Sequence, residues 1–273
     1  MSSSTCVRCN APRALGPECP NCGVIYAKAE RRAAAAVAAA GQAFKGLSLE
    51  RVVGDEQIAA FLRSVYQWMA IALAITAFTA WLTVGPFPIL AVLIFSVPGL
   101  FWALAIAELG LVVVLSARVD RLASSTASIL FVAYSVLSGM TLSIVLLVYT
   151  RESIVSTFAI TSGMFGACAM FGTATRRDLN GIGQFLFMGL VGLVIASVVG
   201  IFWDSDGLQF LISYVGVIVF TGLAAYDAQR LKAMAVAAPE GQTHAYAIAG
   251  ALALYLDFIN LFLSLLKLLG RRR

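Results

Sequence analysis

Seven apolar blocks, each long enough to cross a bilayer, follow one another along most of this chain. They fall at 64–84, 95–117, 124–148, 153–173, 182–203, 207–232 and 243–268. A hydrocarbon layer about 30 Å thick is crossed by about 20 residues rising 1.5 Å each in a helix. That layer offers no partner for free N–H and C=O groups, so such runs must be helical. Pro86, Pro88 and Pro98 lie in or near the first connection. Gly163, Gly166 and Gly172 offer small-residue faces for close helix packing.

Composition agrees with a bilayer as solvent. The chain is 60% hydrophobic and 12% charged, against about 45–50% apolar and 25% charged in a soluble domain. A net charge of +5 would suggest nucleic acid in a soluble protein. Here Lys and Arg sit between the apolar blocks, so the charge reads as topology and no nucleic-acid partner is expected. Arg118 and Arg121 follow the second block, Arg176 and Arg177 the fourth, Arg230 and Lys232 the sixth. The intervening connections carry only Arg151, or the acids Asp204 and Asp206. This pattern puts the N-terminus in the cytosol, and no signal peptide is expected. Arg271, Arg272 and Arg273 disagree, because seven spans leave them outside. Either a short basic tail is translocated or the last segment is re-entrant.

The first 26 residues read as a separate module. They hold Cys6-Val7-Arg8-Cys9 and Cys19-Pro20-Asn21-Cys22-Gly23. Two CxxC pairs across a short loop can present four thiolates as a tetrahedron, the geometry of a structural zinc site. The glycine lets backbone amides turn toward the sulfurs. Zinc held by Cys6, Cys9, Cys19 and Cys22 is the expected cofactor, with iron as the alternative metal. A disulfide or redox pair fits poorly in a reducing compartment. Four ligands close the shell, so the ribbon is structural or a docking module. Cys168, alone in an apolar block, reads as a small buried residue. Residues 27–62 read as a linker. Ala27–Ala40 is helical by propensity, and Leu47–Leu62 is an amphipathic lead-in along the cytosolic surface. The membrane domain then covers 63–273.

Three acids lie within the apolar blocks: Glu108, Asp227 and Asp257. Each costs a few kcal/mol at the bilayer centre, so each should face a cavity, a partner or an ion path. Asn260, Ser264 and Lys267 continue from Asp257 in steps of three and four, one polar stripe on an apolar helix. Lipid cannot cover such a stripe cheaply, so the last helix is expected at the centre of the bundle. With the tip of the last hairpin at Pro239-Glu240-Gly241, Asp227 and Asp257 differ in height by about four residues, roughly 6 Å. Two carboxylates brought together in low dielectric cannot both ionise freely and tend to share a proton. The pair is a candidate pH sensor or cation site. The other reading keeps them apart, Asp227 paired with Arg230 and Asp257 bonded to a neighbouring helix. Glu108 reads as a buried acid bonded to helix neighbours. Arg118, about three turns beyond it, is a candidate latch for a nearby carboxylate. His244 reads as a loop residue. No serine–histidine dyad, intramembrane metal triad or nucleotide loop is present, so no enzyme is expected. Lys267 at the last turn argues against a retinal protein.

The membrane domain resembles the Bax inhibitor-1 family. The resemblance rests on Glu108–Leu111, Tyr134–Ser143, Arg177-Asp178-Leu179, Ala225-Tyr226-Asp227 and, most specifically, Leu254–Phe262. It covers roughly residues 60–270 and leaves out the cysteine ribbon. It implies an all-α membrane protein, a seven-helix bundle with a central last helix, here in a bacterial inner membrane. It also implies a passive, pH-dependent calcium leak whose sensor is an aspartate pair, falling on Asp227 and Asp257, with Asn260 in support. The latch it implies falls nearest Arg118, with Arg121 as the alternative. The expected partners are the bilayer and calcium or other cations. Some bacterial relatives resemble modulators of a membrane protease. The rival expectation is therefore an interaction protein with the ribbon as its docking module.

Overall fold

The computed structural model describes residue 12 and residues 17–273, apart from 98, 176, 204 and 240. It gives the backbone alone for 26–27, 29–30 and 32–53. Among the described residues eight α-helices run in order: α1 (Tyr26–Val84), α2 (Pro88–Ser96), α3 (Leu100–Ala117), α4 (Ser124–Val148), α5 (Arg151–Ala174), α6 (Asn180–Phe202), α7 (Asp206–Ala237) and α8 (Thr243–Leu269). Among the described residues there are two isolated β-bridges and no strand. Among the described residues seven helices are long and apolar enough to span a membrane: the Gly54–Val84 part of α1, and α3 to α8. The chain divides into two compact units, residues 1–57 and 58–273.

In the first unit, Cys19 to Val24 forms a tight turn. The Cys19 N–H donates to the Val24 carbonyl at 3.0 Å, and the Gly23 N–H donates to the Cys19 carbonyl at 2.8 Å. Gly23 has φ +66°, which a side chain would disfavour. Glu18 and Ile25 close the turn as an antiparallel bridge. Cys19 is buried and Cys22 half-buried. Cys6 and Cys9 lie outside the described residues.

In the second unit, the helix boundaries follow local chemistry. Pro88 occupies the first turn of α2, where its missing N–H breaks no helical bond. Residues 88–96, read from the sequence as connection and start of a span, are thus a short helix of their own. Gly99 at φ +88° turns the chain into α3, so the second span begins at Leu100. Thr150 and Ser205 cap α5 and α7, each hydroxyl accepting the backbone N–H of the third helical residue. His244 is not in a loop. It lies in the first turn of α8, 3.0 Å from the Ser128 hydroxyl and edge-on to Trp68.

The core of this unit is built around α8. Ile248, Leu252, Leu254, Tyr255, Leu261 and Leu266 are almost wholly buried, and α8 packs on α3, α4, α5 and α7. Close approaches use glycines at the contact points. A methyl group on Gly139 of α4 would lie 2.6 Å from the Thr76 carbonyl oxygen, and one on Gly172 of α5 would run into the backbone of Ala225. Gly163 and Gly166 meet nothing at their Cα positions, so only Gly172 of the three supports a tight contact.

α8 is a single helix of 27 residues, with no break that would turn it back. At about 1.5 Å per residue it exceeds the hydrocarbon thickness. The residues after it pair with the α4–α5 connection, where Tyr149 and Arg272 form an antiparallel bridge. The basic tail therefore sits at the end of the bundle where α1 finishes, and the re-entrant alternative does not hold.

Candidate functional site

Asp227 and Asp257 are brought together across the α7–α8 contact, both lining one cavity. Ionised carboxylates only accept hydrogen bonds and repel one another, so two carboxyls on one buried wall would tend to share a proton. Asp257 is 6% exposed. Its Oδ2 is buried and has no hydrogen-bond partner, which leaves one acceptor free to take a donor or a cation.

The pair lines a cavity of about 670 Å³ between α6, α7 and α8. Gln184, Tyr226, Arg230 and Asn260 supply its other polar groups, and Phe187, Met188 and Phe220 are among its apolar walls. Asn260 donates through Nδ2 to the Leu256 carbonyl at 2.8 Å. The cation on this cavity is Arg230, one turn beyond Asp227 on α7. Neither Arg118, at the C-terminal cap of α3, nor Arg121 lines it. The sequence named Arg230 only as the partner of an isolated Asp227. The structure places both aspartates and this arginine around one space.

The turn of α7 that carries the site is fixed from several directions. Gly172 lies against the backbone of Ala225, and Gly183 of α6 lies under the ring of Tyr226. The Gln229 amide grips the α5–α6 connection, accepting from the Leu179 N–H at 2.9 Å and donating to the Arg177 carbonyl at 2.8 Å. Lys232 donates to the Thr173 carbonyl. These contacts set the height and rotation of Asp227 and leave its carboxyl facing α8.

Glu108 belongs to a different space. Thr141 of α4 donates to it at 2.8 Å. Both residues line a cavity of about 370 Å³ that Lys267 of α8 also lines. The polar residues of α8 therefore do not form one face. Ten residues at about 100° each carry Lys267 roughly 80° around the helix from Asp257. Asp257 and Asn260 face the first cavity and Lys267 the second, with Ser264 bonded to the Asn260 carbonyl at 2.7 Å.

One buried network lay beyond the sequence reading. The Tyr255 hydroxyl is 2.8 Å from that of Thr76 and donates to the Ser138 hydroxyl at 2.9 Å, and Thr76 donates to the Ser135 carbonyl at 3.0 Å. It joins α1, α4 and α8 at the bundle centre. Ser135 and Ser138 recur at helical spacing within the Tyr134–Ser143 segment, and that repetition is the signal that marks one polar face of α4.

The profile of the family described as "Inhibitor of apoptosis-promoting Bax1" matches residues 58–273. The chain is 46% identical over 216 residues to the Inner membrane protein YbhL of Escherichia coli (strain K12), covering 78% of this chain and 92% of that one. It is 44% identical over 215 residues to an uncharacterized protein of Borreliella burgdorferi (78% and 92%). To an uncharacterized protein of Deinococcus radiodurans it is 40% identical over 214 residues (78% and 91%).

Proposed function

This chain belongs to the Bax inhibitor-1 family of multi-pass membrane proteins, and from that premise we propose that it is a pH-sensitive passive leak for calcium. The observation that supports this reading is the carboxyl pair on the wall of a cavity that also holds an arginine. Calcium takes hard oxygen ligands, and the two carboxyls and the Asn260 amide oxygen are of that kind. Loss of the shared proton puts two like charges in contact in low dielectric, which drives the groups apart or draws in a cation. Gain of a second proton discharges the pair and removes its attraction for the Arg230 guanidinium. Either step changes the charge that a permeating ion meets, so flux should follow pH, rising on the acid side as the arginine is released. Arg230 takes the latch role in this proposal, in place of Arg118 or Arg121. The N-terminus faces the cytosol, on the loop-charge argument.

Calcium flux through the purified full chain in vesicles, followed from pH 5 to 8, tests this. Asp257→Asn should leave the protein folded and flatten the pH response. Flux from that variant with an unchanged pH response would remove the pair from the mechanism.

A second reading is carried by the first unit. Residues 1–57 lie outside the family match. The Cys19–Gly23 turn fits one half of a four-thiolate zinc ribbon: the Cys19 and Gly23 amides close it and its glycine takes the left-handed conformation. Cys6 and Cys9 would complete the ligand set, and bound zinc would hold the ribbon folded. Such a unit suits docking to a membrane-protein partner, including a membrane protease. Capture of one defined partner should then be lost on Cys19→Ser/Cys22→Ser, whereas ion flux should be unchanged.

A further inference from the structure

At the end of the bundle where α1 and α8 finish, three hydrogen bonds tie the last residues to the α4–α5 connection. Two of them make the Tyr149–Arg272 bridge: the Thr150 N–H donates to the Arg271 carbonyl at 3.1 Å and the Arg273 N–H to the Val148 carbonyl at 2.9 Å. The Arg271 N–H donates to the Ser153 hydroxyl at 2.9 Å. This pairing sets Arg273 near Arg151, and both line a cavity of about 390 Å³. Trp81, at the last turn of α1, forms another wall, and Val84, Leu146 and Ile154 make the rest largely apolar.

Among the described residues, neither arginine has a carboxylate within 4.0 Å. Glu152 and Asp206 stand at the same end of the bundle, at the starts of α5 and α7, and neither lines the cavity. Loop arginines otherwise gather at the opposite end, with Arg118, Arg121, Arg177 and Arg230. Arg151, Arg271, Arg272 and Arg273 run against that pattern, and the protein holds two of them in place around an open space.

We propose that this cavity binds the headgroup phosphate of an anionic phospholipid. A guanidinium offers a fork of donors that matches phosphate oxygens, and two of them from separate segments can hold one phosphate between them. The position, at the ends of membrane spans and beside a tryptophan, is where lipid headgroups lie. The apolar walls favour a lipid over a free anion, because they continue toward the acyl chains. The occupant we name is therefore a lipid such as phosphatidylglycerol.

The test uses the purified full chain in detergent micelles, with dioleoyl phosphatidylglycerol, dioleoyl phosphatidylcholine and sn-glycerol 1-phosphate as probes. Bound lipid is counted by native mass spectrometry and checked by the rise in unfolding temperature. Arg151→Gln and Arg273→Gln should each weaken phosphatidylglycerol binding about fivefold, and the double variant about 30-fold, taking about 1 kcal/mol per arginine near an anionic headgroup. Arg118→Gln/Arg121→Gln at the opposite end should bind as the unchanged protein does. Undiminished binding by the double variant would overturn the proposal. Equal binding of phosphatidylcholine, or of glycerol phosphate without its chains, would overturn it too. The readout does not involve flux, so its outcome is independent of the proposed leak.

Discussion

The helices α6 and α8 have similar lengths and opposite positions. In the most apolar stretch of α6 only 11% of residues are buried within the protein, against 67% for α8. Phe185, Val194 and Ile195 of α6 face outward, whereas α8 buries Asp257, Tyr255 and Ser264 along with its leucines. In water the more apolar helix would be the inner one. In a bilayer, lipid covers apolar surface as well as protein does, so apolarity no longer selects the inside. The polar groups select it, because only the protein can satisfy them. The helix with the ionisable residues becomes the axis, and the helix without them becomes part of the wall.

This contrast can be tested from both sides. The largest effect should come from Tyr255→Ala. It removes a buried ring that meets Phe131 and Tyr134 edge-on and strands two hydroxyl partners, which should cost about 3–5 kcal/mol of stability. Phe185→Ala on α6, where the ring is 69% exposed, should cost under about 1 kcal/mol, since lipid replaces the lost contacts. Unfolding in mild detergent compares the two, and equal losses would break the comparison. A smaller effect is expected at glycines. A methyl on Gly250 of α8 would lie 2.5 Å from the side chain of Leu231, itself buried, whereas one on Gly192 of α6 meets nothing. Gly250→Val should then cost about 1–3 kcal/mol by overpacking, and Gly192→Val should be close to neutral. The smallest effect is that of Tyr255→Phe. It keeps the ring and deletes only the hydroxyl, at about 1 kcal/mol, and measures what the network contributes apart from packing.

The pair of cavities extends the same lesson. Asp257 and Lys267 lie on one helix and were read as one polar face, yet they open into separate spaces, one with Asp227 and Arg230, the other with Glu108 and Thr141. A stripe defined by steps of three and four tolerates a gradual rotation, and over ten residues that rotation is enough to change neighbours.

The sequence by itself determined that residues 64–268 cross a membrane as helices, because hydrocarbon accepts no other backbone. It also determined which side chains are too polar to face lipid, and hence that α8 lies inside. Only the tertiary structure decided which of those side chains meet. That depends on the rotation and depth of each helix, and these are set by contacts such as Gly172 on Ala225 and Gly183 under Tyr226, between residues far apart in the chain. The meeting of Asp227 with Asp257, and the pairing of the basic tail with the α4–α5 connection, are of this kind: each is a distance between elements, which no spacing within one helix encodes.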